Sequence, residues 1–358
     1  MLAYILRKLF YGLLVLLGVV VVVFFLFNVL PGDPARMMLG QRADVSSIEA
    51  INKDLGRDRS LTIQFINYLN DLSPVSLHNT RNTESVFYLD SEKYKFISLF
   101  KLGPNKVVVL KEPYLRRSYQ TKRKVHEILL DALPGTAVLA LTAMLIATFF
   151  GVFLGVVSAI KKHTWIDNVS VMLAVFGTSA PSFFAGIIMA WLFGYVLSDY
   201  TGLNMTGSLY TISPFEGETM ELKNLILPAI TLGIRPLAII VQLTRSSMLD
   251  VLSQDYIRTA KAKGLSHYKV VFKHTLRNAL NPVVTAISGW VASLLAGSFF
   301  VEYIFGWKGI GKVTVEALEK YDFPVVMGSV LIVAVFFVII NIVVDILYGI
   351  LDPRIRVQ

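Results

Sequence analysis

Apolar residues fall along the chain in six long runs, separated by polar stretches of very unequal length. A helix needs roughly 20 apolar residues to cross a bilayer core about 30 Å thick. Leu9 to Leu30, Leu133 to Ile160, Val169 to Leu197, Leu225 to Leu243, Ala279 to Phe300 and Val325 to Ile350 each predict one such span. The first run stops at Leu30-Pro31-Gly32-Asp33-Pro34, where two prolines forbid helix continuation. It is too long for the apolar part of a signal peptide, and no small-x-small site follows, so a retained anchor is expected. Pro134 opens the second run as a favourable first-turn residue. Ser179-Ala180-Pro181-Ser182 interrupts the third, and Arg235-Pro236 lies inside the fourth. The fifth is rich in Gly, Ala and Ser, as closely packed membrane helices are.

The polar stretches have patterns of their own. Ser46-Ser47 predicts a cap for a helix through Leu55, and Leu61 to Leu72 predicts a second, with Ile63, Ile66 and Tyr68-Leu69 at helical spacing. Between 79 and 115 the period changes. Val86 to Leu89, Tyr94 to Phe100 and Val107 to Leu110 are short β-prone runs divided by turn residues. Between the fourth and fifth runs, residues 246–281 are too polar to span and too regular for a linker. Asp255 starts a short helix, its carboxylate favourable near the N-terminus. Tyr256, Ile257 and Ala260 make an apolar side, while Arg258, Lys261 and Lys263 lie elsewhere around it. Gly264 ends it as a left-handed residue, and Leu265 follows. Ser266 caps a second helix with apolar positions 268, 271, 272, 275, 276, 279 and 280. Physics alone leaves two readings: an amphipathic helix lying on the membrane surface, or a docking element that passes force to a partner. The glycine stop, and a second helix running directly into the fifth span, favour docking.

Composition agrees with a membrane protein. Of 358 residues, 54% are hydrophobic and 16% charged, against roughly 25% charged in an average soluble domain. The absence of cysteine excludes disulfides, thiolate catalysis and Cys-ligated metals. A net charge of +9 admits nucleic acid in principle. The basic residues instead follow topology: they crowd 1–8, 161–167, 245–277 and 352–358, whereas 199–224 is acidic. The positive-inside rule then puts both termini and the 246–281 segment in the cytoplasm. The 31–131 loop is also net basic, but the rule is weak for long loops.

The 246–281 segment resembles the "EAA" loop of ABC importer membrane subunits, which reads Glu-Ala-Ala, three residues, Gly, nine residues, Ile-x-Leu-Pro. Ala260, Gly264 and Leu276 match, while Arg258 and His274 replace the Glu and the Ile, and proline comes late at Pro282. Those departures are themselves similar to the dipeptide/oligopeptide/nickel permeases. The resemblance rests on Gln254 to Leu265, Arg277 to Val284, Leu133-Pro134, Ala180 to Phe183, Leu227 to Ala229, Leu243 to Arg245, Val301-Glu302 and Leu351 to Arg354. Leu30 to Pro34 resembles the B-type subunit. It implies an all-α polytopic membrane protein of six transmembrane helices with the type I importer permease fold and a small extracytoplasmic α+β insertion. The expected divisions are an N-terminal helix at 1–34, an extracytoplasmic loop domain at 35–126 with the insertion near 79–115, a core at 127–350, and a cytoplasmic tail at 351–358. It also implies a bacterial inner-membrane location and four kinds of neighbour. These are a homologous C-type permease subunit, two ABC ATPase subunits that bind ATP and Mg, an extracytoplasmic substrate-binding protein and the lipid bilayer. Asp255, Tyr256, Arg258, Ala260, Lys261, Gly264 and Leu265 would carry the coupling; Arg235, Pro181, Asp33 and Glu302 are candidates for pore or gate.

Other features point to no chemistry. Gly306-x4-Gly311-Lys312 nearly spells a phosphate loop, but Val313 stands where Ser or Thr should hold magnesium, and no strand precedes it. It reads as a glycine-rich turn before a short external helix, and the resemblance implies a place near the translocation path, with a gate or scoop as the alternative role. Arg235 is costly within a span unless paired or facing water. It is either a pore-lining cation that meets a peptide or gate carboxylate, or a structural residue: one partner of a pair, or a snorkelling side chain on a helix kinked at Pro236. Asp345 reads as a structural cap or subunit pair. His267 and His274 share a helix face without carboxylate help, a poor metal site. No catalytic constellation appears, so the chain is expected to be non-catalytic. The competing functional class is a secondary transporter driven by an ion gradient, which would favour internal repeats and midplane charges; no repeat is visible.

Overall fold

The computed structural model describes residues 2–28, 48–49, 52, 58–82, 85, 87–91, 93–213 and 217–351. The Leu30 to Pro34 turn with Asp33, the 352–358 tail and most of the expected Ser46 to Leu55 helix lie outside the described residues; Ile48, Glu49 and Asn52 are helical.

Among the described residues, five helices are long and apolar enough to cross a membrane. They are α1 (Leu2–Asn28), α3 (Val125–Ile160), α6 (Lys223–Leu252), α8 (Arg277–Gly297) with the π-helical turns Lys269–Leu276 leading into it, and α11 (Phe323–Leu351). The third apolar run is not one straight span. It forms α4 (Trp165–Ser179) and α5 (Ser182–Trp191, continued by a π turn to Val196), bent by 109° at the break. Pro181 supplies the reason: it has no N–H to continue the helix, and it pushes Ala180 into the extended region at φ −75, ψ 131. Two expected boundaries also move. The second span begins at Val125, so Pro134 lies inside α3 rather than in its first turn. The fourth runs to Leu252 and passes both Pro228 and Pro236 without a break.

The chain divides into two compact units, one made of residues 1–11, 132–315 and 333–358, the other of 12–131 and 316–332. In the first unit α3 packs on α6 through Gly151 and Gly155, four residues apart on one face. A Cβ at Gly151 would press on Ile240 Cγ2 at 2.7 Å, and one at Gly155 on the Val241 carbonyl oxygen at 2.8 Å. Backbones approach this closely only over small residues. Leu139, Ala143, Ile240, Phe305 and Trp307 lie in the buried core. The two ends of this unit meet where Lys8 Nζ pairs with Asp345 Oδ2 at 2.7 Å, so Asp345 has its structural partner within the chain.

The second unit contains α2 (Leu61–Leu72) and an antiparallel sheet in the order β1-β3-β2, formed by Val75–Asn79, Phe96–Lys101 and Lys106–Lys111. The β element therefore starts at Val75, ahead of the expected insertion boundary. Of the expected strand at 86–89, the described residues 87–89 supply an isolated bridge from Tyr88 to Asn79. The buried face of α2 also differs from expectation. Tyr68 and Asp71 are inside, with Tyr68 against Phe24 and Met327, while Ile63 and Ile66 are exposed. Asp71 is the reason a polar position turned inward. Its Oδ1 accepts from Lys93 Nζ at 2.9 Å and from the Tyr94 hydroxyl at 2.6 Å, and its carbonyl accepts from the buried Lys111 Nζ at 2.7 Å. A second hairpin, Tyr210–Ser213 with Gly217–Met220, was not legible in the sequence and belongs to the first unit.

Candidate functional site

The 246–281 segment forms a short, solvent-facing helix held by a small apolar seat. Helix α7 (Asp255–Ala262) buries Ile257 completely and Ala260 almost so, one turn apart, against Val270, Val251 and Leu252. Asp255, Tyr256, Arg258, Thr259 and Lys261 are exposed. The helix ends in a glycine-centred stop: Gly264 has φ +74, its N–H donates to the Lys261 carbonyl at 3.0 Å, and the Leu265 N–H donates back to the Ala260 carbonyl at 3.3 Å. This paired closure satisfies the last carbonyls and needs a left-handed residue at its centre. Leu265 stays on the surface just beyond it.

Tyr256 departs from the expected apolar side. It is exposed, and its hydroxyl accepts from Asn278 Nδ2 at 3.0 Å, which ties α7 to the start of α8. The following helix departs more. Because residues 269–276 are π-helical, each turn takes in one residue more than an α turn. The inward positions become Val270, Val271, Thr275 and Ala279. Tyr268 and Phe272, expected inside, are exposed and lie over one another with ring centroids 4.6 Å apart. Around them Lys261, Lys263, Lys269, Lys273 and Arg277 are all exposed. The segment is thus a basic and aromatic handle whose two helices share one apolar seat.

An ion pair built on a buried carboxylate braces the span that carries this handle. Arg245, near the end of α6, donates from Nε to Asp167 Oδ1 at 2.6 Å and from Nη2 to Asp167 Oδ2 at 2.8 Å. Asp167 is 2% exposed and also accepts from Ser158 Oγ at 2.5 Å and the His163 N–H at 3.0 Å. Four donors on one carboxylate join α3, the turn after it, α4 and α6. The pair is not legible in the sequence. Two charges 78 residues apart carry no local signal, although an arginine at the end of an apolar run was there to be questioned.

The glycine-rich turn at 306–311 also has an occupant. Glu302, in α9 (Phe299–Ile304), is fully buried beneath it. Its Oε1 accepts from Ser298 Oγ at 2.7 Å, and its Oε2 accepts from the Gly311 and Lys312 N–H groups at 2.7 and 3.2 Å. Those donors open α10 (Ile310–Glu319), so the chain's own carboxylate takes the anion position at a helix N-terminus. Burial raises the Glu302 pKa, against the opposing pull of Ser298, Thr136 and the two backbone donors. Arg235 is exposed on α6 while Pro236 beside it is buried. Pro181 stands at the α4–α5 bend. Asp33 lies outside the described residues. Arg235, Pro181 and Glu302 are not brought together into one cluster by any recorded contact among the described residues.

Two family descriptions match the chain. "Binding-protein-dependent transport system inner membrane component" covers residues 151–357, and the corresponding N-terminal description covers 1–83. The chain is 37% identical to the di/tripeptide transport system permease protein DppB of Pseudomonas aeruginosa over the whole of both chains. It is 34% identical to the glutathione transport system permease protein GsiC of Salmonella choleraesuis, over 99% of each. Among solved structures it is similar to the MetNI methionine ABC transporter, with TM-score 0.48 and 16% identity over 63% of this chain and 97% of that one. With a family match across more than half its length and full-length relatives above 30% identity, the chain belongs to the binding-protein-dependent transport system inner membrane components, in the ABC importer branch that contains the dipeptide permeases.

Proposed function

We propose that this chain forms half of the translocation path of an ATP-driven peptide importer in a bacterial inner membrane. A homologous C-type subunit forms the other half. Two ATPases grip the handle at 255–265 from the cytoplasm, where both termini also lie, and an extracytoplasmic binding protein delivers the cargo. The chain itself performs no covalent chemistry; ATP and Mg belong to the ATPases. One observation carries this reading: a short exposed helix, ended by a left-handed glycine and seated on the base of the next span, is built to be held and moved. Movement of α7 passes through the Ile257, Ala260 and Val270 seat and the Tyr256–Asn278 bond into α8. On the other side, α7 follows α6 after a two-residue turn. An ATP-dependent closure of the partners would therefore pull two spans together, and bias the path between its open states by the difference in partner affinity for each.

The test is reconstitution. The chain, its C-type partner, both ATPases and the binding protein are placed in liposomes, and uptake of a labelled dipeptide is followed with and without ATP. ATP-dependent uptake that requires every component is the expected result. Uptake by the chain alone on a proton or sodium gradient would replace this reading with that of a secondary transporter.

A further inference from the structure

Arg235 is the thirteenth residue of α6, about 18 Å along it at 1.5 Å per residue, and so well inside the span. It is exposed, and among the described residues nothing pairs with its guanidinium. A cation in that position cannot face hydrocarbon at tolerable cost; it needs water or a counter-charge. Its surroundings point to water. Arg235, Ile239, Gln242 and Ser246 follow one another at steps of four, three and four, on one face of the helix, and none is buried. One turn further along, Ile239, Gln242, Leu243 and Ser246 line a largely apolar groove of about 450 Å³ with Val171 and Val175 of α4, which Arg235 itself does not enter. Helix α8, which packs on α6, exposes its own row at steps of four: Asn281, Thr285, Gly289 and Ser293. Helix α8 thus exposes polar and small residues, and α6 a row with three polar members and one apolar, Ile239, where lipid-facing helices expose Leu and Phe, as α1 does.

We propose that Arg235 is a binding residue in the translocation path, and that it takes the carboxylate of the transported solute, the free C-terminus of a peptide. This rests on the importer reading above. Guanidinium is suited to the task, since it keeps its charge when desolvated and meets a carboxylate with two parallel hydrogen bonds. A carboxylate on the partner permease is the rival counter-charge, and the test separates the two.

The chain has no cysteine, so Arg235→Cys introduces a single reactive thiol. In the assembled complex that thiol is expected to react with water-soluble thiosulfonates. Glycylglycine at saturating concentration should slow the reaction several-fold, and glycylglycine amide should not. Peptide uptake by Arg235→Cys should fall about tenfold, the loss expected for one charged hydrogen-bonded contact. A cationic thiosulfonate should restore much of it, and an anionic one should not. Arg235→Lys should retain more uptake than Arg235→Gln. The proposal is overturned by a thiol that no aqueous reagent reaches, by equal protection from peptide and amide or none from either, or by normal uptake in Arg235→Gln. Loss of co-purification with the partner permease in Arg235→Gln would also overturn it, in favour of an inter-subunit pair. A wild-type complex without ATP-driven uptake would instead defeat the importer reading, which the Arg235 variants do not address.

Discussion

At the scale of single residues, two positions carry effects out of proportion to their size. Gly264 is constrained by conformation alone. Its φ is +74, and a Cβ there would meet nothing within 4 Å. Gly264→Ala should therefore cost about 1 kcal/mol of left-handed strain and no steric clash, and Gly264→Asn less, because Asn tolerates that region. Hydrogen exchange of the 261–265 amides should rise in that order, and ATP-driven uptake should fall in the same order. Asp167 is constrained by charge. Arg245→Met leaves the Asp167 carboxylate buried and without its cation and should cost about 3 kcal/mol in the melting of the purified chain; Asp167→Asn leaves a cation that is 25% exposed and should cost less. The double variant Asp167→Leu, Arg245→Met should recover most of that loss, because it removes the desolvation cost along with the pair. If the double variant melts no higher than the singles, the bond geometry rather than the charge balance holds these helices.

At the scale of elements, the loop domain holds titratable groups whose environments predict its pH response. Burial lowers the pKa of Lys111 to about 8, with Asp71 opposing and Lys93 adding to the shift. Burial, helped by Lys111, lowers that of His78 below its ordinary 6.5. In both cases the fold prefers the neutral base, so the unfolded chain binds more protons between the folded and unfolded pKa values, and stability rises with pH across that interval. Resistance of residues 75–111 to proteolysis should fall as pH drops below 6.5, and rise between about 8 and 10. Above 10 it should fall again, since burial holds the Tyr68, Tyr94 and Tyr114 hydroxyls protonated in the fold while the unfolded chain ionises. His78→Gln should remove the lower step and Lys111→Met the upper one. The same elements show where periodicity stops being informative. The limits of α2 at Leu61 and Leu72 were legible, but its inner face was not, because Asp71 has partners in strands that come later in the chain. Tyr268 and Phe272 read as core only if the helix keeps an α period, and the π turns at 269–276 change which side they face.

At the scale of the whole molecule, the prediction concerns orientation. The charge distribution predicts a cytoplasmic handle and a 199–224 loop on the opposite side. Because the chain lacks cysteine, Lys261→Cys and Tyr200→Cys report the two sides directly; Tyr200 is 89% exposed. In right-side-out vesicles an impermeant thiol reagent should label Tyr200→Cys and leave Lys261→Cys until the membrane is opened. The reverse pattern would invert the topology and remove the handle from the reach of cytoplasmic ATPases.

What the sequence determined by itself is whatever depends on neighbours along the chain. The long apolar runs, the interruption at Pro181, the short helix from Asp255 and its glycine stop follow from hydropathy, backbone sterics and capping, all of which act within a few residues. Only the tertiary structure decided which charges meet. The Arg245–Asp167 clasp, the Lys8–Asp345 pair and the capture of the Glu302 carboxylate by the 306–311 turn join residues that share no periodic signal, and their pairing depends on which backbones come close in the fold. The exposure of Arg235 was decided in the same way. A lone arginine in an apolar run could have been clasped like Arg245, and the packing of α6 left it open.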